Sequence, residues 1–169
     1  MSQNIFDCSS ADPEVTVLIR LLEHAKVRTF DVVGFLSVKD LDFTLTKGTP
    51  TIGALLRHMI CVEEIIRVGN IESRMLSKEE ELFWSDSIPG PGKLLDRSIS
   101  GFNVRHYQDL WKEIRQRTIA ALKDQSKEWL YQTSGGEHTN FFTWFHVIED
   151  QLCHLGQIKY IMKRIPPTT

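Results

Sequence analysis

The sequence predicts an all-α fold, a four-helix bundle, on three observations. Four long segments repeat apolar residues at steps of three and four, no segment reads convincingly as a strand, and capping residues, proline and glycine separate the four. The chain has 169 residues, 41% hydrophobic and 25% charged, which is the size and composition of one domain, residues 1–169, able to close a single core.

The first helix is expected from Asp12-Pro13-Glu14, an N-cap type followed by proline at the first helical position and an acid in the first turn. Leu18, Leu21, Leu22, Ala25, Phe30, Val33 and Leu36 continue the pattern, interrupted only at Gly34, and SVKDLDFTLTKG reads as a connection. Thr49-Pro50 repeats the cap-and-proline signal and opens a second helix reaching Val68 or Ile71, with Ile52, Leu55, Met59, Val62, Ile65 and Ile66 on one face. From Met75 to Gly101 the periodicity fails, and Ile88-Pro89-Gly90-Pro91-Gly92 is a strong breaker cluster. This long crossover between the second and third helices carries a short helix around Glu79 to Phe83, and its length suits either a lid or a link between distant helices.

The third long helix holds Val104, Tyr107, Leu110, Trp111, Ile114, Ala121 and Leu122, and SKEWLYQTSGGE ends it at Gly135-Gly136. Thr139 or Asn140 caps the fourth, which carries Phe141, Trp144, Phe145, Ile148, Leu152, Leu155, Ile158, Ile161, Met162 and Ile165 before Pro166-Pro167.

Charge and composition narrow the function. Twenty basic and 22 acidic residues are spread along the chain for a net charge of −2, so no basic stripe marks a nucleic-acid partner. No apolar run is long enough to span a membrane, and the first residues lack a signal-peptide pattern, so a cytoplasmic location is expected. Cys8, Cys61 and Cys153 are odd in number and unrelated in spacing, which fits reduced thiols with no catalytic part.

The chemistry is concentrated in HVIEDQLCHLGQIKY, where His146, Asp150 and His154 follow one another at four-residue steps. Residues four apart on a helix differ by about 40° in direction and about 6 Å in height, so Asp150 and His154 can share one ligand. Val147, Ile158 and Ile161 continue their stripe as apolar, which turns the pair inward; His58, between Leu55 and Val62, is turned inward in the second helix by the same logic. Burying such groups unpaired costs roughly 2 to 7 kcal/mol each, and far more for a bare charge. A divalent metal offsets that cost: two neutral imidazoles and a carboxylate leave a net charge of about +1 and open coordination positions. A metal-free hydrogen-bonded cluster is the competing arrangement. His146 stands about 80° and about 12 Å from His154, too far for all three groups of this helix to meet one ion, and is read as an edge or supporting residue. His24, His106 and His138 read as surface or cap residues, and Glu63 and Glu64 point away from His58.

TIGALLRHMICVEE around His58 together with DQLCHLGQIKYIMKR around His154 resembles the DinB-like superfamily along the whole chain. The resemblance implies an up-down-down-up four-helix bundle, a nickel or zinc ion on His58, Asp150 and His154, and homodimers. It also implies chemistry on small-molecule substrates with a low-molecular-weight thiol such as mycothiol, bacillithiol or glutathione. Asp150 stands where the similar mycothiol-dependent isomerases place glutamate, and Leu155 where an arginine is often found. The function expected is metal activation of a thiol, in an S-transferase or isomerase, or of water, in a hydrolase. The alternative from a different class is a non-catalytic bundle whose metal is structural or sensory and is closed by a fourth protein ligand such as His146 or Cys61.

Overall fold

A computed structural model describes residues 12–88, 99–133 and 137–167. Among these the chain is helical, with an isolated bridge between Thr133 and Thr139 and no strand. Cys8, the Pro89–Gly92 part of the breaker cluster and Gly135-Gly136 lie outside the described residues.

Helix α1 spans Pro13–Val33. Asp12 caps it by accepting the Glu14 N–H at 3.2 Å, and Gly34, where the sequence pattern falters, is its C-cap. The connection that follows holds a short helix, α2 at Val38–Leu41, which periodicity misses because it is a single turn held by a Ser37–Asp40 capping box. Helix α3 covers Ile52–Ile66 and starts at Thr51 rather than Thr49, because the Thr51 hydroxyl accepts the Ala54 N–H at 2.9 Å. Its last turn widens into a π-helical segment, Arg67–Ile71. The expected short helix in the crossover is present as α4, Lys78–Trp84, and runs into a 3₁₀ turn at Ser85–Ser87. Helix α5 spans Val104–Lys123, a short α6 spans Lys127–Leu130, and α7 spans Asn140–Met162 with Thr139 as N-cap.

Helix α7 packs against α1 and α3, and α5 packs against the same two. Near the start of α3 the core contains Val33, Leu55, Met59, Trp111, Ile158 and Ile161; at the opposite end it contains Val15, Leu18, Leu22, Leu122, Trp144 and Val147. Each such side chain, fully buried, stabilises the fold by roughly 1.5–3 kcal/mol.

The four long helices also meet at a buried ion cluster. Arg115 of α5 donates to both oxygens of Glu63 at 2.6 and 2.7 Å and to Glu23 of α1 at 3.2 Å. Trp111 Nε1 and Gln151 Nε2 of α7 each donate to Glu63 at 3.0 Å. Burial alone would raise the Glu63 pKa, but Arg115 and the hydrogen bonds around it hold the carboxyl below the ordinary glutamate value. Glu63 does point away from His58, but it points into the core, and Glu64 is likewise buried against Arg67 at 2.8 Å.

The buried stripe of α7 runs through Trp144, Val147, Gln151, Leu155, Ile158 and Ile161, so Asp150 and His154 sit at its edge. Leu152, Phe141 and Phe145, expected on the core face, are exposed. Among the described residues no helix is long and apolar enough to cross a membrane.

Candidate metal centre

His58 reaches the α3–α7 interface from the middle of α3, and Asp150 and His154 reach it from successive turns of α7. One potential ligand atom from each of the three lies within 4.8 Å of the others. The imidazoles of His58 and His154 meet edge to face, centroids 4.9 Å apart and planes at 86°. His154 Nε2 stands 3.2 Å from Asp150 Oδ1, and the side chains of this pair are 17% and 19% exposed. The arrangement is half-buried.

Each imidazole is held by the nitrogen it does not need for an ion. His58 Nδ1 donates to the Ser87 carbonyl at 2.7 Å, and His154 Nδ1 donates to the Gln157 side-chain carbonyl at 3.0 Å. Both bonds fix the tautomer that leaves an Nε2 lone pair for a metal. Asp150 gives one oxygen to His154, and its other, Oδ2, is buried with no hydrogen-bond partner. A buried carboxylate oxygen lacking a donor beside two oriented imidazoles is a donor set that a divalent cation satisfies.

Electrostatics agree with this pairing. Burial pulls the His154 pKa down, but Asp150 and the hydrogen bond with Gln157 outweigh it, and the balance lies above the ordinary histidine value.

The other residues weighed from the sequence fall elsewhere. His146 is exposed, its side chain 62% accessible, and its Nδ1 stands 3.4 Å from Glu149. Cys61 is buried in α3, where burial pushes its thiol up to about 12, and Cys153 is exposed. Among the described residues no fourth His, Cys, Asp or Glu joins the three. His24 and His138 are exposed as expected, but His106 has a buried Nε2 without a partner.

Two supporting residues escaped sequence reasoning. Gln157 lies three residues after His154, a helical spacing that was available as a signal. Ser87 carried none: it comes from the long connection and meets His58 only because α4 and the 3₁₀ turn fold back over α3, with Trp84 and Ser87 both buried there. The chain matches no family model and no curated protein, so what the site can do rests on these residues.

Proposed function

We propose that this chain is a divalent-metal enzyme of the DinB-like kind, with His58, Asp150 and His154 as ligands of a nickel or zinc ion. The observation that carries the reading is the convergence of those three side chains from two helices, with an unpartnered Asp150 oxygen among them. A divalent ion there supplies a positive charge that lowers the pKa of a bound thiol or water, giving a nucleophile at neutral pH. The residues of the chain hold and aim: Ser87 and Gln157 orient the two imidazoles, and Asp150 balances charge. With no fourth side-chain ligand among the described residues, the set favours an open site over a closed structural one.

The same reading takes the four long helices as an up-down-down-up bundle. It is supported by the partners of α3: Gly53 lies by Tyr107 and Glu63 by Arg115, so α3 and α5 run the same way. His58 lies by His154, and Asn70, just past α3, bonds Asn140 and Trp144, so α7 runs opposite to them. The Glu23–Arg115 and Glu14–Lys127 pairs make α1 antiparallel to α5. A small-molecule electrophile as substrate, a cytoplasmic location and pairing with a second copy belong to the same proposal.

The test is to load purified protein with nickel or zinc and follow consumption of an electrophile with mycothiol, bacillithiol, glutathione or no thiol. A thiol-dependent rate that disappears in His154→Ala is expected. If no thiol accelerates the reaction, the transferase version fails, and ester or amide hydrolysis by the same samples decides for the hydrolase.

A further inference from the structure

We propose that Arg57 is a positioning residue for the metal centre. It fixes the strap formed by α4 and the 3₁₀ turn, residues 78–87, in the register that puts the Ser87 carbonyl on His58 Nδ1. This role rests on the reading of His58 as a ligand through Nε2, and it adds a residue outside the ligand set. Arg57 and His58 are neighbours on α3, so their side chains leave the helix about 100° apart, and the strap touches both. Arg57 donates to the Phe83 carbonyl at 2.5 Å and lies over the rings of Phe83, at 4.5 Å, and Trp84, at 5.1 Å. Further along the strap, the Ser87 carbonyl accepts the His58 Nδ1–H at 2.7 Å.

The contacts of the strap differ in what they fix. Trp84 is buried in the apolar cluster that includes Leu56, Met59 and Ile60, which holds the strap against α3. Apolar burial is non-directional, so it does not choose which carbonyl faces His58. Arg74 ties the start of α4 by reaching both Glu80 oxygens, at 2.7 and 2.8 Å, but that pair is exposed and lies at the far end of α4 from Ser87. The Arg57–Phe83 bond is directional and charge-assisted, and its acceptor is backbone, so it fixes the chain itself just ahead of Ser87. The planar guanidinium stacks on the rings while donating in its own plane, a combination that an ammonium group lacks. With the Ser87 carbonyl so placed, the His58 proton stays on Nδ1 and the Nε2 lone pair is free for an ion. Charge alone gives the opposite sign: a cation beside a cation site repels the ion, so removing Arg57 would strengthen binding if only its charge mattered.

The test uses full-length protein and reads the His58 tautomer before any metal is added. At a pH where the ring is neutral, long-range proton–nitrogen NMR of chelator-treated protein should show His58 as the Nδ1–H form, its signals identified by their loss in His58→Ala. Arg57→Gln is expected to abolish that preference and to speed amide exchange in the strap by about tenfold, the scale of one charge-assisted hydrogen bond. In a zinc competition titration the same variant loses about tenfold in affinity, the lower end for an outer partner, and Arg57→Lys, which keeps the charge, loses affinity too. In the native chain zinc in turn slows exchange of the strap, because the coupling is reciprocal. The proposal is overturned if Arg57→Gln keeps the Nδ1–H form, or if it binds zinc as tightly as the native chain or more tightly. Should Arg57→Gln fail to fold, the same two outcomes in Arg57→Lys overturn it. If the native chain binds no zinc, the metal reading fails, and the tautomer and exchange measurements alone decide whether Arg57 positions His58.

Discussion

His58 and His154 meet edge to face across the α3–α7 interface with ring centroids 4.9 Å apart, and Asp150 stands against the second ring at 3.2 Å. Because the three candidate ligands come from two helices, each helix alone offers an incomplete set, and any ion they hold depends on the helices' mutual placement.

Removal of a ligand should therefore release the ion. His58→Ala and His154→Ala are each expected to lose more than the roughly 10–100-fold in affinity that an outer partner contributes, whereas His146→Ala, exposed beside Glu149, keeps wild-type metal content. Elemental analysis after dialysis against a competing chelator checks all three.

Gln157 fixes the His154 tautomer and is replaceable without disturbing the core, since it is exposed. Gln157→Ala should lower zinc affinity by about 10–100-fold with little change in melting temperature. Unchanged affinity in a competition titration would remove Gln157 from the account.

The Glu63–Arg115 pair is fully buried, so deleting one charge strands the other. Glu63→Ala is expected to cost about 3–5 kcal/mol of unfolding free energy, measured by chemical denaturation, and the double variant Glu63→Leu with Arg115→Met much less than twice that.

The same carboxyl sets a pH dependence. Its folded pKa lies below the ordinary value of 4.5, so between the two values the unfolded chain binds more protons and stability rises with pH. The contribution is complete above about pH 4.5 and is lost as pH falls through the folded value. Denaturation curves at successive acidic pH values should show a steeper loss for the native chain than for Glu63→Gln.

Helix positions were legible in the sequence because Asp12-Pro13 and Thr139 are local caps, and because apolar spacing survives in α1, α3, α5 and α7. His58, Asp150 and His154 were legible for the same reason, as polar residues on otherwise apolar stripes. Glu63, Arg115 and Gln151 were not: each looks like an ordinary surface residue until its partners on other helices are known. Ser87 could not be foreseen either, because the fold of a long connection is set by what it packs against rather than by periodicity. On α7 the apolar residues Trp144, Ile148, Leu155, Ile158 and Ile161 are buried as expected, but Phe141, Phe145 and Leu152 are apolar yet exposed and Gln151 is polar yet buried, so side-chain type alone does not mark the whole face.

The central claim, that two histidines and one aspartate on α3 and α7 hold a divalent ion, is tested most directly by X-ray absorption on protein loaded with one equivalent of zinc. The account predicts stoichiometric binding and a first shell containing two imidazole nitrogens and one carboxylate oxygen, with one imidazole lost in His58→Ala. A shell containing sulfur, a shell unchanged in His58→Ala, or failure to bind one equivalent would contradict it.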